Sequence, residues 1–180
     1  MNELISSFEL LPHPEGGWYK ETYRSPLTVS HPVTGEPRSA STAIMFLITP
    51  SNVSRLHRIT SDELWHFYRG TSLTIVELDE ESRVMSRTVL GSDVSSGERL
   101  QHVVRAGTWF GCYGNDDKPR TATPGPDETY SFVGCTVSPG FDFKDFQLAS
   151  RAVLWAHFAP EQGQESEVRR VIERLTEGLP

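Results

Sequence analysis

The sequence predicts an all-β sandwich or barrel with helical ends. Short runs rich in β-branched and aromatic residues recur along the 180-residue chain, and turn signals from 14 glycines and 12 prolines separate them. Regular spacing of short strands is typical of β-sandwiches and β-barrels. The C-terminal segment differs, because its apolar residues recur with the period of a helix.

The strands are predicted in chain order. The first is GGWYKETYRS at 16–25, and the second is STAIMFLIT at 41–49, a continuous apolar run typical of a buried strand. ELWHFYRG ends at Gly70, and TSLTIVELD at 71–79 is expected to be its hairpin partner across that turn. The remaining strands are predicted in SRVMSRTVL, in TYSFVGCTVSPGF, and as two strands joined at RAG in LQHVVRAGTWFGCYG.

The ends of the chain predict helices. The tail carries one apolar stripe at i, i+3, i+4 and i+7, which predicts an amphipathic helix over about 165–178; the stripe is Val168, Val171, Ile172 and Leu175. The N-terminal NELISSFELLPHPEGG predicts a short helix that Pro12 and Pro14 stop. GNDDKPRTATPGPDE at 114–128 is expected to be a long loop. The whole chain, 1–180, is therefore expected to be one domain with a core over about 11–160.

Composition and charge exclude several classes of protein. A net charge of −7 and a pI of about 5.4 disfavour nucleic acid as a partner. No apolar run reaches the length of a membrane span and no signal peptide is recognisable, so a cytoplasmic protein without a membrane partner is expected. The two cysteines, Cys112 and Cys135, do not form a CxxC pair, and free buried thiols are expected rather than a disulfide.

The stretch LHRITSDELWHFYRG at 56–70 resembles the first cupin motif. That motif begins with HxH, has a Glu after three or four further residues, and ends with a Gly that six residues separate from the Glu. Glu63 and Gly70 keep the required spacing. His57 corresponds to the second histidine, one residue too far from Glu63, and Arg55 stands at the first.

The second cupin motif contains PxG, and a third metal-binding histidine follows it after two intervening residues. Here Arg105 replaces the proline, and Phe110 stands at the histidine position. The chain is more closely similar to the cupin subfamily DUF985 (Cupin_5) in four segments that cover most of 11–160, namely LPHPEGGWYKETYRS, LHRITSDELWHFYRG, QHVVRAGTWFG and YSFVGCTVSPGFDFKDFQLAS. This resemblance implies a cupin jelly roll that usually forms a homodimer, but it implies no reaction.

Cupin metal sites typically use three histidines and one carboxylate. Only His57 and Glu63 correspond to two of those four ligands. Alternation along a strand points Glu63 inward and His66 to the opposite face. No cofactor is therefore expected, and a divalent transition metal is the alternative.

A metal-free site is the favoured interpretation. Arg55-x-His57 resembles the Arg-x-x-His of cupin sugar epimerases, with one residue fewer. In that interpretation His57 is a base, Arg55 stabilises an enolate, and Glu63 or Asp62 orients the base or acts as a second acid–base group. The alternative is that TSDE only caps a turn.

A small-molecule ligand is the expected partner. Phe110 in place of a metal-binding histidine makes the expected cavity more apolar, which favours a small cyclic or aromatic-like ligand over a charged sugar nucleotide. Tyr68 or Tyr130 is a candidate to return a proton, whereas HPEGG at 13–17 is interpreted mainly as a backbone turn. The expected ligand-binding residues are Trp65, Phe67, His102, Trp109, Phe110, Tyr130 and Phe141.

Three functions remain open from the sequence. The first is an isomerase or epimerase that works by acid–base proton transfer. The second is a non-catalytic module that binds an apolar small molecule, and the third is a divergent metal-dependent cupin enzyme.

Overall fold

The computed structural model describes residues 1–115, 129–158 and 165–178, with only the backbone of residues 165 and 166. Most of the loop predicted over 114–128 lies outside this range, as do residues 159–164, which precede the predicted C-terminal helix. The strands, in chain order, are β1 (Leu11–Pro12), β2 (Trp18–Arg24), β3 (Thr28–Ser30), β4 (Pro37–Ser39), β5 (Thr42–Ile48), β6 (Val53–Arg58), β7 (Asp62–Gly70), β8 (Leu73–Asp79), β9 (Val84–Leu90), β10 (Gln101–Val104), β11 (Trp109–Gly114), β12 (Ser131–Ser138) and β13 (Gln147–Leu148). The helices are α1 (Asn2–Ser7), α2 (Arg151–Phe158) and α3 (Glu165–Leu175), with 3₁₀ turns at Val94–Ser96 and Phe143–Asp145.

Two antiparallel sheets pack face to face as a jelly-roll sandwich. The six-stranded sheet has the order β1-β2-β5-β12-β7-β10, and the five-stranded sheet has the order β13-β6-β11-β8-β9. A separate hairpin pairs β3 with β4. The fold predicted from strand spacing is confirmed.

The β5 strand shows why a continuous apolar run is needed in the six-stranded sheet. Phe46 and Ile48 face the other sheet in the central core, whereas Leu47 and Met45 belong to a cluster on the outer face. That outer cluster includes Leu4 of α1 and other residues of the N-terminal segment. The N-terminal helix therefore covers one sheet, so the strand is apolar on both faces.

The outer face of the five-stranded sheet is covered by the C-terminal helices. Ile172 and Leu175 of α3 are buried against Val76 and Leu78 of β8. The helix predicted over about 165–178 is thus confirmed, although it ends at Leu175. Helix α2, which packs in the same cluster through Leu154, was not predicted. Within the described ranges, every helix is too short or too polar to cross a bilayer.

The hairpin predicted across Gly70 is wrong. β7 pairs with β12 and β10, whereas β8 pairs with β11 and β9 in the opposite sheet. At Gly70 the chain leaves one sheet for the other and passes so close to Tyr130 that a Cβ there would lie 2.0 Å from its carbonyl oxygen. Alternation and turn residues predicted both strands correctly, but a turn between two sheets has the same local signals as a hairpin turn.

Candidate functional site

A β-bulge in β6 decides which side chains of this strand face the interior. The pairing register with β11 shifts there, so that Arg55 and Leu56 together oppose Gly111. In a regular strand, residues three apart point to opposite faces. Because of the bulge, Ser54 and His57 both point between the sheets, and the Arg55 side chain points away.

The turn that precedes β2 brings a second histidine and a carboxyl group to the bulged strand. The backbone N–H of Arg55 donates to the carbonyl of Glu15 at 2.8 Å, and the N–H of Gly16 donates to the carbonyl of His13 at 3.0 Å. The Ser54 hydroxyl donates to Oε1 of Glu15 at 2.8 Å. The Glu15 side chain is buried by these contacts and is held against His57.

A cavity of about 350 Å³ lies between the two sheets at this point. His13, Glu15 and His57 approach it from the turn and from β6, and Glu63 approaches it from β7 in the opposite sheet. Arg24 and Glu21 also line it. The remaining lining residues are Tyr19, Thr42, Ile44, Ile59, Cys135, Val137, Phe141, Asp142 and Phe143.

His57 and Glu15 form a buried pair with one proton between them. Nδ1 of His57 donates to the carbonyl of Arg55 at 2.6 Å, so the lone pair of a neutral His57 is on Nε2. Nε2 lies 3.1 Å from Oε2 of Glu15, a distance that requires a proton on one of the two atoms.

Burial favours the uncharged forms of both groups. Loss of hydration lowers the pKa of His57 to about 4, and the hydrogen bond that His57 donates to the Arg55 carbonyl offsets this only in part. Burial also raises the pKa of Glu15, although His13 and the Ser54 hydroxyl act in the opposite direction. Both shifts favour a proton on Glu15 beside a neutral His57 over an ion pair, and the two groups titrate as one unit.

Glu63 is an acid that keeps its proton at neutral pH. Burial raises its pKa to about 8, and the neighbouring Glu15 adds to this increase, whereas a hydrogen bond with the Cys135 side chain acts against it. Such a group can donate a proton or a hydrogen bond to an oxygen in the cavity. It faces the His57–Glu15 pair from the other sheet.

The raised pKa of Glu63 predicts how stability depends on pH. Between its ordinary value of 4.5 and about 8, the folded protein keeps a proton that the unfolded chain releases, so this contribution to stability is lost as pH rises through the window. His57, with its lowered pKa, has the opposite effect between about 4 and 6.5. Above pH 6.5 the carboxyl group dominates, and we expect the free energy of unfolding to fall by about 2 kcal/mol by pH 8.

Chemical denaturation of wild type and Glu63→Gln across this range checks the expectation. Glutamine does not titrate, so the slope should become shallower in that variant. Glu77→Gln is the control, because Glu77 pairs with His102 at 2.6 Å and does not line the cavity. A slope that is equally steep in wild type and Glu63→Gln would assign the pH dependence to other groups.

A cluster of phenylalanines closes one side of the cavity. The Phe146 ring lies 5.1 Å from the His57 ring, and the Phe143 ring is stacked 6.2 Å from that of His13. The segment is held by two bonds from the buried Arg38 guanidinium to the Asp145 carboxylate, at 2.8 and 2.9 Å. These contacts fix the phenylalanine segment to β4, beside the two histidines.

The structure does not bring Arg55 to the cavity. Its guanidinium donates to the carbonyls of Glu177 and Pro14, at 3.0 and 3.2 Å, on the outside of the sandwich. The predicted role of Arg55 as an anion stabiliser is therefore wrong. Asp62 is also outside, since it accepts bonds from the Arg105 side chain and the Ala106 N–H.

Most of the aromatic residues expected around a ligand serve other purposes. Trp65 and Phe110 are fully buried in the core between the sheets, where Phe67 packs against them, and Phe110 lies behind His57 with ring centres 4.1 Å apart. Phe110 is therefore part of the core and not of a cavity mouth. Of the predicted ligand-binding residues, Phe141 lines the cavity.

Three predicted ligand-binding residues lie away from the cavity. Trp109 packs beneath the C-terminal helices and donates to Glu80 at 2.9 Å, and Tyr130 lies in the outer cluster beside α1. His102 pairs with Glu77. Tyr68, suggested as a proton donor, is exposed on the outer face of the six-stranded sheet.

Alternation along β7 is confirmed. Glu63 and Trp65 are buried inside, whereas His66 bonds to Thr136 and Gln101 on the outer face. His13 and Glu15 were interpreted mainly as part of a backbone turn, but both line the cavity. The sequence signal that could have identified them is the pair of titratable side chains next to Gly16 and Gly17. A turn that needs only backbone flexibility has no use for a histidine and a glutamate.

The donor set does not fit a cupin metal site. Among the residues that the structure describes, no three His, Cys, Asp or Glu side chains converge in an arrangement that could hold a metal ion. Nε2 of His57, the nitrogen that could bind a metal, already faces Glu15. As they are placed, these side chains can donate and accept protons.

Comparison with known families agrees with the fold and with the motifs. The profile of the family Cupin superfamily (DUF985), Cupin_5, matches residues 2–149, which is most of the chain. The chain belongs to this family.

Relatives of this cupin extend from bacteria to eukaryotes. It is similar to the uncharacterized protein YML079W of Saccharomyces cerevisiae, with 32% identity over 156 residues, 81% of this chain and 73% of the yeast protein. The crystal structure of SO0799 from Shewanella oneidensis has a TM-score of 0.78 and 36% identity, and covers 97% of this chain and 95% of its own. A hypothetical protein from Leishmania major has a TM-score of 0.77 and 36% identity, and covers 94% of this cupin and 96% of its own chain.

Proposed function

We propose that this cupin binds a small carbonyl compound in the cavity between its sheets and catalyses an isomerisation or epimerisation by proton transfer. One observation carries the proposal: a protonated carboxylic acid, Glu63, faces a proton-sharing pair, His57 and Glu15, across one cavity between the sheets. Titratable groups with opposite pKa shifts in one cavity are typical of acid–base catalysis.

The proton balance of the reaction follows from the site. The His57–Glu15 pair takes a proton from the carbon next to the substrate carbonyl: a Glu15 oxygen accepts it while the proton shared by the pair moves to Nε2 of His57. Glu63 donates its proton to the carbonyl oxygen, which gives a neutral enol. Return of a proton from the pair to carbon, and of the enol proton to Glu63, restores the site. Return to the opposite face of the same carbon inverts its configuration. In an α-hydroxycarbonyl substrate, return to the former carbonyl carbon moves the carbonyl group, and the proton of the adjacent hydroxyl then passes to Glu63.

A binding module without catalysis is less consistent with the cavity. An apolar ligand site needs few polar groups, and buried titratable groups without a task are costly. Here two histidines and two buried glutamates line the cavity beside the phenylalanines. This combination favours an enzyme.

Exchange of carbon-bound hydrogen with solvent tests the proposal. In D₂O, the wild-type protein is expected to accelerate deuterium incorporation next to the carbonyl of at least one member of a panel of small ketones, aldehydes, hydroxyketones and keto acids, measured by proton NMR. His57→Gln should lower this rate by about 100-fold or more. His66→Gln is the matched control, because His66 lies on the outer face. Rates equal to buffer for the wild type, or an unchanged rate in His57→Gln, would contradict the proposal.

A further inference from the structure

The charged side chains around the cavity are predominantly acidic. Four carboxyl groups line it, and in the described part of the chain Arg24 is the one Lys or Arg among the lining residues. The carboxyl groups belong to Glu15, Glu21, Glu63 and Asp142. A bound anion would therefore depend on Arg24 or on the histidines for a positive partner.

The charge of Arg24 is already neutralised within the protein. Its guanidinium makes a bidentate contact with Glu21, with Nε 3.0 Å from Oε1 and Nη2 2.7 Å from Oε2. Both terminal nitrogens also donate to the carbonyl of Phe141 at 3.2 Å. The fork that would bind a phosphate or carboxylate of a ligand is therefore occupied.

The histidines do not supply a positive charge at neutral pH either. Burial lowers the pKa of His57 to about 4, and it also lowers the pKa of His13, although Glu15 acts against this. Nδ1 of His13 accepts the backbone N–H of Glu15 at 3.3 Å, so its other nitrogen carries the proton. Both rings are therefore neutral polar groups, one of which presents an N–H donor.

We infer that the substrate is an uncharged hydroxycarbonyl compound of about monosaccharide size, and that its phosphorylated or carboxylated counterparts are excluded. The carbonyl group in this inference rests on the proposed function, whereas the charge and size rest on the cavity itself. An anion that entered would lose its hydration without gaining a free positive partner, and it would meet carboxylates instead.

The groups that remain free suit hydroxyl groups on a small carbon skeleton. Neutral Glu63 both donates and accepts hydrogen bonds, as a hydroxyl does, and Tyr19 adds a further hydroxyl. The Thr42 hydroxyl already accepts the Phe141 N–H at 2.9 Å but can still donate its own hydrogen. Phe141 and Ile44 offer apolar faces to the C–H groups between them. A cavity of about 350 Å³ has room for one sugar ring or open chain.

Equilibrium binding to matched ligands tests this inference independently of turnover. Ligand-observed NMR at pH 7 and 0.15 M salt compares D-ribulose, D-xylulose and D-fructose with the phosphate ester of each. At least one uncharged sugar should bind, and its ester should bind about tenfold more weakly or not at all. Equal or tighter binding of the esters would overturn the inference, and so would the absence of binding by all three sugars. In that last case, deuterium exchange in another carbonyl compound would still support the proposed function.

Removing the partner of Arg24 should weaken the selectivity against the phosphate ester. Glu21→Gln removes the charge that neutralises Arg24, so the affinity for the phosphate ester relative to the free sugar should rise about tenfold. Glu9→Gln is the matched control, because Glu9 pairs with Lys20 on the surface and does not line the cavity. A ratio that stays the same in Glu21→Gln, or rises equally in Glu9→Gln, would contradict the role given to the Arg24–Glu21 pair.

Discussion

Glu63→Gln is expected to lower the rate of proton transfer by about 100-fold to 10,000-fold while the protein stays folded. Glutamine has the shape of glutamic acid and can still donate a hydrogen bond, but it has no proton to transfer. The wild-type rate should fall as pH rises through about 8, where Glu63 loses its proton, and this decline should be absent from the residual activity of the variant. Deuterium exchange measured from pH 5 to 9 checks both expectations.

The control for this prediction is another glutamate that faces a histidine. Glu77→Gln breaks the contact with His102, which lies outside the cavity, and should leave both the rate and its pH profile unchanged. If Glu63→Gln kept its activity, or if the alkaline decline persisted in that variant, Glu63 would not be the acid. Circular dichroism and denaturation of both variants separate a loss of the proton from a loss of the fold.

Sequence patterns predicted eight of the thirteen strands that the described residues form, because burial acts on each strand locally. The strand β6, which carries His57, was not among them. The continuous run of β5 is apolar on both faces since the other sheet covers one face and α1 covers the other. Alternation along β7 correctly separated Glu63 from His66. The same rules failed where the assignment depended on a partner strand, as for β8, which pairs in the sheet opposite to β7.

The site was predicted in part, and the bulge in β6 explains why the rest was not. Arg55 and His57 are two residues apart, so regular alternation predicts that both face inward. In the structure, β6 has one extra residue opposite Gly111. As a result, the His57 side chain points inward and the Arg55 side chain points outward. A bulge depends on the packing of the neighbouring strand, since a Cβ at position 111 would lie 2.6 Å from the carbonyl oxygen of Ser54. Local sequence carries little of that information.

Gly16→Ala is expected to damage both stability and the site. Gly16 has φ of +109°, and an added Cβ would lie 2.0 Å from the carbonyl oxygen of Val53 in the bulged strand. Relief of this overlap requires the turn to move away from β6 and to carry His13 and Glu15 with it. We expect the free energy of unfolding to fall by about 3 to 5 kcal/mol and proton exchange to fall with the displacement of Glu15.

Gly35→Ala is the control that separates the cost of a left-handed φ from the cost of an overlapping Cβ. Gly35 also has a left-handed φ, +71°, but nothing lies within 4 Å of an added Cβ there, and Gly35 does not line the cavity. Its substitution should cost about 1 kcal/mol and leave exchange at the wild-type rate. Urea denaturation and the exchange assay on both variants give the comparison. If Gly16→Ala lost no more stability than Gly35→Ala and kept its activity, contact between the turn and β6 would not be what positions Glu15 against His57.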